Sequence, residues 1–156
     1  MSWYDATNYC ATLTQQEQAV GHIPTTWCYS LPTEAEWEYA CRAGTTTRFS
    51  FGNDASYTLL DSYAWYSSNS GHMTHPVGAK LPNPWGLFEM HSHVWEWCLD
   101  WYATYRGGSV TDPTGTCPGS YRVTRSGYFG SDARECRSAM RGGAFPRQAL
   151  HATALA

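Results

Sequence analysis

Six cysteines and six histidines are the residues of this 156-residue chain best suited to redox or metal chemistry. Cys10, Cys28, Cys41, Cys98, Cys117 and Cys136 are spread without a Cys-x-x-Cys pair, which argues against a zinc knuckle or a thioredoxin-type centre. In a chain of this length with no secretory leader in view they read as mostly reduced, buried thiols, because unpaired cysteine is among the most buried residue types. Spacing alone assigns no pairing. His91 and His93 stand two apart, so on a strand they face the same side and offer two imidazoles to a metal. Two ligands do not complete a site, and the competing reading is a pair of polar loop or core histidines.

The elements that must hold these residues are short. Ser2 is a candidate N-cap for a first helix in which Trp3, Ala6, Cys10 and Leu13 recur at helical spacing and form one apolar face. The pattern turns polar over 15–21, which predicts fraying there. Thr33 and Glu36 form a Thr-x-x-Glu capping box behind Pro32, and Trp37, Ala40 and Cys41 then share a face. Gly44 is the expected stop in the left-handed conformation. Beyond it, short aromatic runs alternate with clusters of Gly, Pro, Asn and Ser, and Val94–Trp97 and Tyr121–Thr124 are the best strand candidates. No repeat or low-complexity linker interrupts positions 1–156, and the length suits one domain. The class is α+β, rich in ordered loops. Such loops need aromatic packing, hydrogen bonds or bound ions to satisfy their backbone groups.

Composition narrows the function classes. Charged residues are 15% of the chain against a typical ~25%, and aromatics are also 15%, with eight Trp and eleven Tyr. The formal charge is −3 and Lys80 is the single lysine, so nothing suggests a nucleic-acid partner. No run approaches the ~20 apolar residues of a membrane span. No signal peptide is visible, so the cytoplasm is the default expectation.

Three stretches carry a resemblance. They are Leu31-Pro-Thr-Glu-Ala-Glu-Trp-Glu-Tyr-Ala-Cys-Arg-Ala-Gly-Thr, then His75-Pro-Val-Gly with Leu81-Pro-Asn-Pro-Trp-Gly-Leu-Phe-Glu-Met-His-Ser-His-Val-Trp-Glu-Trp, and Arg122-Val-Thr-Arg-Ser-Gly-Tyr-Phe with Cys136-Arg-Ser-Ala-Met-Arg. In this order they resemble the formylglycine-generating-enzyme, or sulfatase-modifying-factor, family, whose members show L-P-T-E-A-E-W-E-Y-A, G-N-V-W-E-W and R-V-x-R-G-G-S-W. The resemblance implies a C-type-lectin-like, loop-rich fold. It also implies an N-terminally shortened form, because family domains usually carry earlier strands. A further chain, a homo-oligomer included, is one expected way to supply that surface.

The family's oxidase holds copper between two cysteines five apart, which by motif position fall on Ser131 and Cys136. One thiolate is thus replaced by a hydroxyl that is too hard for Cu(I), so copper and catalysis are not expected. A divergent oxidase using Cys136 alone or with Cys98 or Cys117 is the alternative. The related sulfoxide synthases take their iron ligands from a separate helical domain that this chain lacks. Other relatives imply calcium, with the Glu89 and Glu96 carboxylates and the Ser92 and Val94 carbonyls as ligands, and a weaker second site at Asn69 and the Gly71 carbonyl; oxygen donors of this kind suit Ca²⁺. The competing role for Glu96 is a buried carboxylate paired with an arginine. Ser92 and His93 stand where relatives have Gly-Asn, at a place where glycine's positive φ is of use.

The C-terminal part also resembles the variable region of ligand-binding proteins diversified by retroelements. On that analogy Phe129, Gly130, Ser131, Asp132, Arg134, Glu135, Met140, Gly142, Gly143, Ala144 and Phe145 form the contact face for an unidentified protein or small-molecule ligand. The leading expectation is therefore a non-catalytic binding module. The others are a divergent oxidase, and a structural protein completed by a partner chain. The family's closing Phe has given way to Ala152, a loss that costs about 3–5 kcal/mol where the site does not repack.

Overall fold

The computed structural model describes residues 1–105, 107–108, 110–115 and 118–150. Cys117 and the closing segment with Ala152 lie outside them. Helix α1 (Trp3–Ala19) opens with a reciprocal cap in which Ser2 Oγ accepts the Asp5 N–H at 3.1 Å and the Asp5 carboxylate accepts the Ser2 N–H at 2.8 Å. The helix continues through the polar stretch where fraying was expected. Tertiary contacts hold its last turn, because Gln18 Nε2 donates to the Thr25 and Trp27 carbonyls of the following loop at 3.2 and 2.7 Å.

Helix α2 (Glu34–Arg42) has the expected Thr33–Glu36 box. Its left-handed residue is Ala43 (φ 48°, ψ 47°), one position before the glycine expected to stop it. Gly44 follows at φ 86°.

Three antiparallel strands, β1 (Glu96–Trp101), β2 (Arg122–Arg125) and β3 (Gly142–Ala144), are ordered β1-β2-β3. Trp97 faces Thr124 and Trp101 faces Arg122, with an irregularity between them. β1 and β2 begin one or two residues later than sequence patterning suggests. β3, Gly-Gly-Ala, has no strand signal of its own and exists by pairing with β2. Two short 3₁₀ turns, Leu60–Ser62 and Ala133–Cys136, were not foreseen either.

The sheet is clad on both faces. Trp97 and Ala144 pack with Ala6, Cys10 and Leu31 toward α1, while Cys98 and Val123 pack with Trp37, Cys41 and Met90 toward α2. A third cluster of Phe49, Leu60, Ala64, Tyr66 and Cys136 fills the loop region. Among the described residues Cys10, Cys41, Cys98 and Cys136 are buried free thiols, and Cys28 is a free exposed one. No described helix is long and apolar enough to cross a membrane.

Candidate functional site

The Leu87–Trp97 stretch brings the metal-type residues together with the end of β2. Glu89 adopts a left-handed backbone (φ 58°), and Ser92 takes φ 155°, so a serine occupies the place where glycine's conformational freedom was expected to matter. The two histidines do not act as a pair. His91 is fully enclosed: its Nε2 accepts the Ser50 N–H at 3.1 Å, which leaves the ring proton on Nδ1 for the Cys136 carbonyl at 3.1 Å. Burial pushes its pKa down to about 4. His93 Nε2 accepts the His75 N–H at 2.9 Å, so its proton sits on Nδ1, facing Glu89 Oε2 at 3.3 Å. Both imidazoles are committed to hydrogen bonds, as core histidines of the competing reading are.

Glu89 and Glu96 are both buried. Glu96 pairs with no arginine among the described residues; its Oε2 accepts the Trp37 indole N–H at 2.6 Å. Burial first, and the neighbouring Glu89 charge second, push its pKa up to about 7 against the pull of that N–H. Glu89 Oε1 is buried without a hydrogen-bond partner. Two carboxylates within electrostatic reach, one with an orphaned oxygen, fit a hard divalent cation better than they fit each other. The Ser92 carbonyl already accepts the Trp65 N–H at 2.9 Å, which leaves one lone pair for an ion. No group of three or more His, Cys, Asp or Glu side chains converges among the described residues, so any such ion would depend on backbone oxygens as well. The second set fits less well. Asn69 is spent on its own turn, accepting the Tyr66 N–H at 3.0 Å and donating to the Ala64 carbonyl at 2.9 Å, and Gly71 supplies a φ of 61° there.

Ser131 is buried and closes a turn, its Oγ accepting the Tyr128 N–H at 3.2 Å and its N–H reaching the Tyr128 carbonyl at 2.8 Å. Cys136 is enclosed in the Phe49 cluster, and burial pushes its thiol up to about 12. Its Sγ points at the Asp132 carbonyl, 3.5 Å away.

The eleven residues expected to form one contact face divide in the structure. Ser131 and Ala144 are buried, so neither offers an exposed contact. Asp132, Arg134 and Glu135 are engaged with one another, since Asp132 and Glu135 cap the 3₁₀ turn and Arg134 Nε lies 2.9 Å from Asp132 Oδ1. Phe145, exposed, lies tilted at 40° against Tyr121, with ring centres 4.4 Å apart. Two of the three glycines are seats for rings. A Cβ on Gly130 would lie 2.7 Å from the Tyr128 ring and one on Gly143 would lie 2.9 Å from Tyr102, whereas one on Gly142 would meet Thr124 Oγ1 at 2.7 Å and Trp95 only at an ordinary 3.4 Å. Trp95, Tyr128 and Phe129 are half-buried and form a ring series with centres 6.1 and 5.3 Å apart. Sequence reasoning missed Trp95 and Tyr128 as members of it. A glycine on an edge strand, where another group approaches closely, was the available signal.

Comparison with known proteins agrees with this scaffold. The family described as Sulfatase-modifying factor enzyme 1-like domain matches residues 1–152. The formylglycine-generating enzyme of Mus musculus is 35% identical over 141 residues, covering 83% of this chain and 34% of the mouse protein. The chain thus spans about a third of that relative's length. Treponema denticola variable protein 1 superposes with a TM-score of 0.71 at 41% identity, over 76% of this chain and 43% of that one. PvdO from Pseudomonas aeruginosa gives 0.79 at 27% identity, over 96% and 56%.

Proposed function

The chain belongs to the sulfatase-modifying-factor family, and from that premise we propose that it is a non-catalytic recognition module whose contact surface is the ring series Trp95, Tyr128 and Phe129. The observation that carries the reading is Ser131. Its hydroxyl is buried in a turn, and by motif position, five residues before Cys136, the resemblance puts the first copper-holding sulfur there. A hydroxyl is a poor donor for Cu(I), and Cys41 and Cys98 belong to a different packed cluster from Cys136. Rings packed edge to face and, at Tyr128, seated on Gly130 give contact area at low entropic cost. The likeness to a variable protein supports the same reading. Calcium held by Glu89 and Glu96 with the Ser92 and Val94 carbonyls is its structural cofactor, and the orphaned Glu89 oxygen supports that assignment.

Identity with the mouse enzyme favours a second reading, a divergent oxidase acting on a protein cysteine. Anaerobic Cu(I) titration and oxygen uptake on a cysteine-containing peptide separate the two. The native chain is expected to show neither tight Cu(I) binding nor turnover, while Ser131→Cys gains Cu(I) binding. Turnover by the native chain overturns the recognition reading. The surface itself is tested with peptides selected from a displayed library. Trp95→Ala and Tyr128→Ala should each weaken binding at least about tenfold, roughly 1.4 kcal/mol, and Tyr9→Ala on exposed α1 should not. Equal binding by all three variants removes the assignment.

A further inference from the structure

A cavity of about 480 Å³ opens beside α2, bounded by Tyr39, Trp101, Tyr105 and the end of β1. It shares no residue with the Trp95–Tyr128 surface or with the Glu89 centre, and it falls in the ~300–1,000 Å³ range of small-molecule sites. Among the described residues its arginines are spent on carboxylates and carbonyls. Arg141 engages both Glu34 oxygens at 2.8 and 2.6 Å and the Ala103 carbonyl at 2.8 Å. Arg42 engages Glu38 at 2.7 and 2.9 Å and the Thr47 carbonyl at 2.8 Å. Asp100 Oδ2 accepts the Glu34 N–H at 2.7 Å, and burial raises its affinity for a proton. The guanidinium of Arg141 also lies over Tyr105, 4.0 Å from the ring centre, which fixes that wall.

An anion entering the cavity meets guanidinium groups already matched to carboxylates. A cation meets Glu34 and Glu38 already matched to guanidinium groups, and an Asp100 carboxyl that is held by a backbone N–H and whose proton affinity is raised by burial. Either loses its hydration without a counter-ion, a heavy cost in an apolar setting. An uncharged ring loses nothing of that kind and gains contact with three aromatic side chains. We propose that this cavity is a binding site for an uncharged, largely apolar ring compound. The proposal does not rest on the function assigned to the Trp95–Tyr128 surface.

The test uses two fluorophores with the same ring skeleton, uncharged N-phenyl-1-naphthylamine and its anionic counterpart 8-anilinonaphthalene-1-sulfonate. The full chain should bind the uncharged probe saturably, at one site and at least tenfold more tightly than the sulfonate. Ala35→Trp, which fills the cavity from α2, should weaken the uncharged probe at least tenfold, and Ala79→Trp on an exposed loop should leave it unchanged. Should Ala35→Trp lose its native circular dichroism, Thr104→Trp from the facing wall takes its place. Equal binding of the two probes, absence of saturable binding, or binding that survives the filled cavity each overturns the proposal.

Discussion

Two carboxylate pairs sit within this fold, and they are satisfied in different ways. Glu34 and Glu38 project from α2 into a ladder of arginines, with Arg42 and Arg125 on Glu38 and Arg125 and Arg141 on Glu34. Glu89 and Glu96 have one indole N–H, one imidazole and an oxygen left over. The first pair carries its cations in the chain, so it fixes α2 to β2 and leaves nothing for a ligand. The second has an unmet demand for positive charge, which an ion from solution can fill. Burial alone does not separate a structural charge network from a binding site; the balance of donors against acceptors does.

The sharpest way to break this distinction is Arg125→Met. Arg125 is wholly enclosed and also donates to the Ser138 and Met140 carbonyls. Removing it should cost about 3–5 kcal/mol in urea unfolding, and a loss under about 1 kcal/mol would mean that the ladder is not structural. Calcium comes next. At 100 times its Kd it should stabilise the chain by about 2.7 kcal/mol and raise Tm by several degrees, which a chelator reverses. Glu89→Gln should abolish that shift, whereas Glu34→Gln should lower Tm but keep it; a shift unaltered by Glu89→Gln sinks the assignment.

The smallest effect is kinetic. Cys41 lies between the two centres, where burial first and the Glu96 and Glu38 charges among the lesser causes push its thiol up to about 12. Iodoacetamide at pH 8 should label exposed Cys28 promptly and Cys41, Cys98 and Cys136 only on unfolding. Native-state labelling of Cys41 would show that the region between the centres opens.

How much of this was legible in the sequence depends on how local each interaction is. The Thr33–Glu36 box is complete within four residues, so its reading was accurate. Ser2 was legible as a cap, but the extent of α1 was not, because Gln18 anchors it through the Thr25 and Trp27 carbonyls of a separate loop. β3 could not be read from Gly142, Gly143 and Ala144, whose strand geometry comes from β2. At the candidate cation centre the ligand types came from the family resemblance. The decisive detail, that Glu89 keeps an unpartnered oxygen while Glu96 is held by Trp37 rather than an arginine, is a long-range outcome. The contact face was least legible, since its residues were chosen by position along the chain and the chain buries Ser131 and Ala144 while leaving Phe145 exposed.

The glycine seats have a consequence for how this surface can change. Tyr128 rests on Gly130, so the height and tilt of that ring are governed by the atoms below it. A methyl group added underneath would lift or swing the ring and remould the outer relief with no outward-pointing side chain replaced. The face is therefore adjustable from its foundation, through a position that carries no side chain of its own.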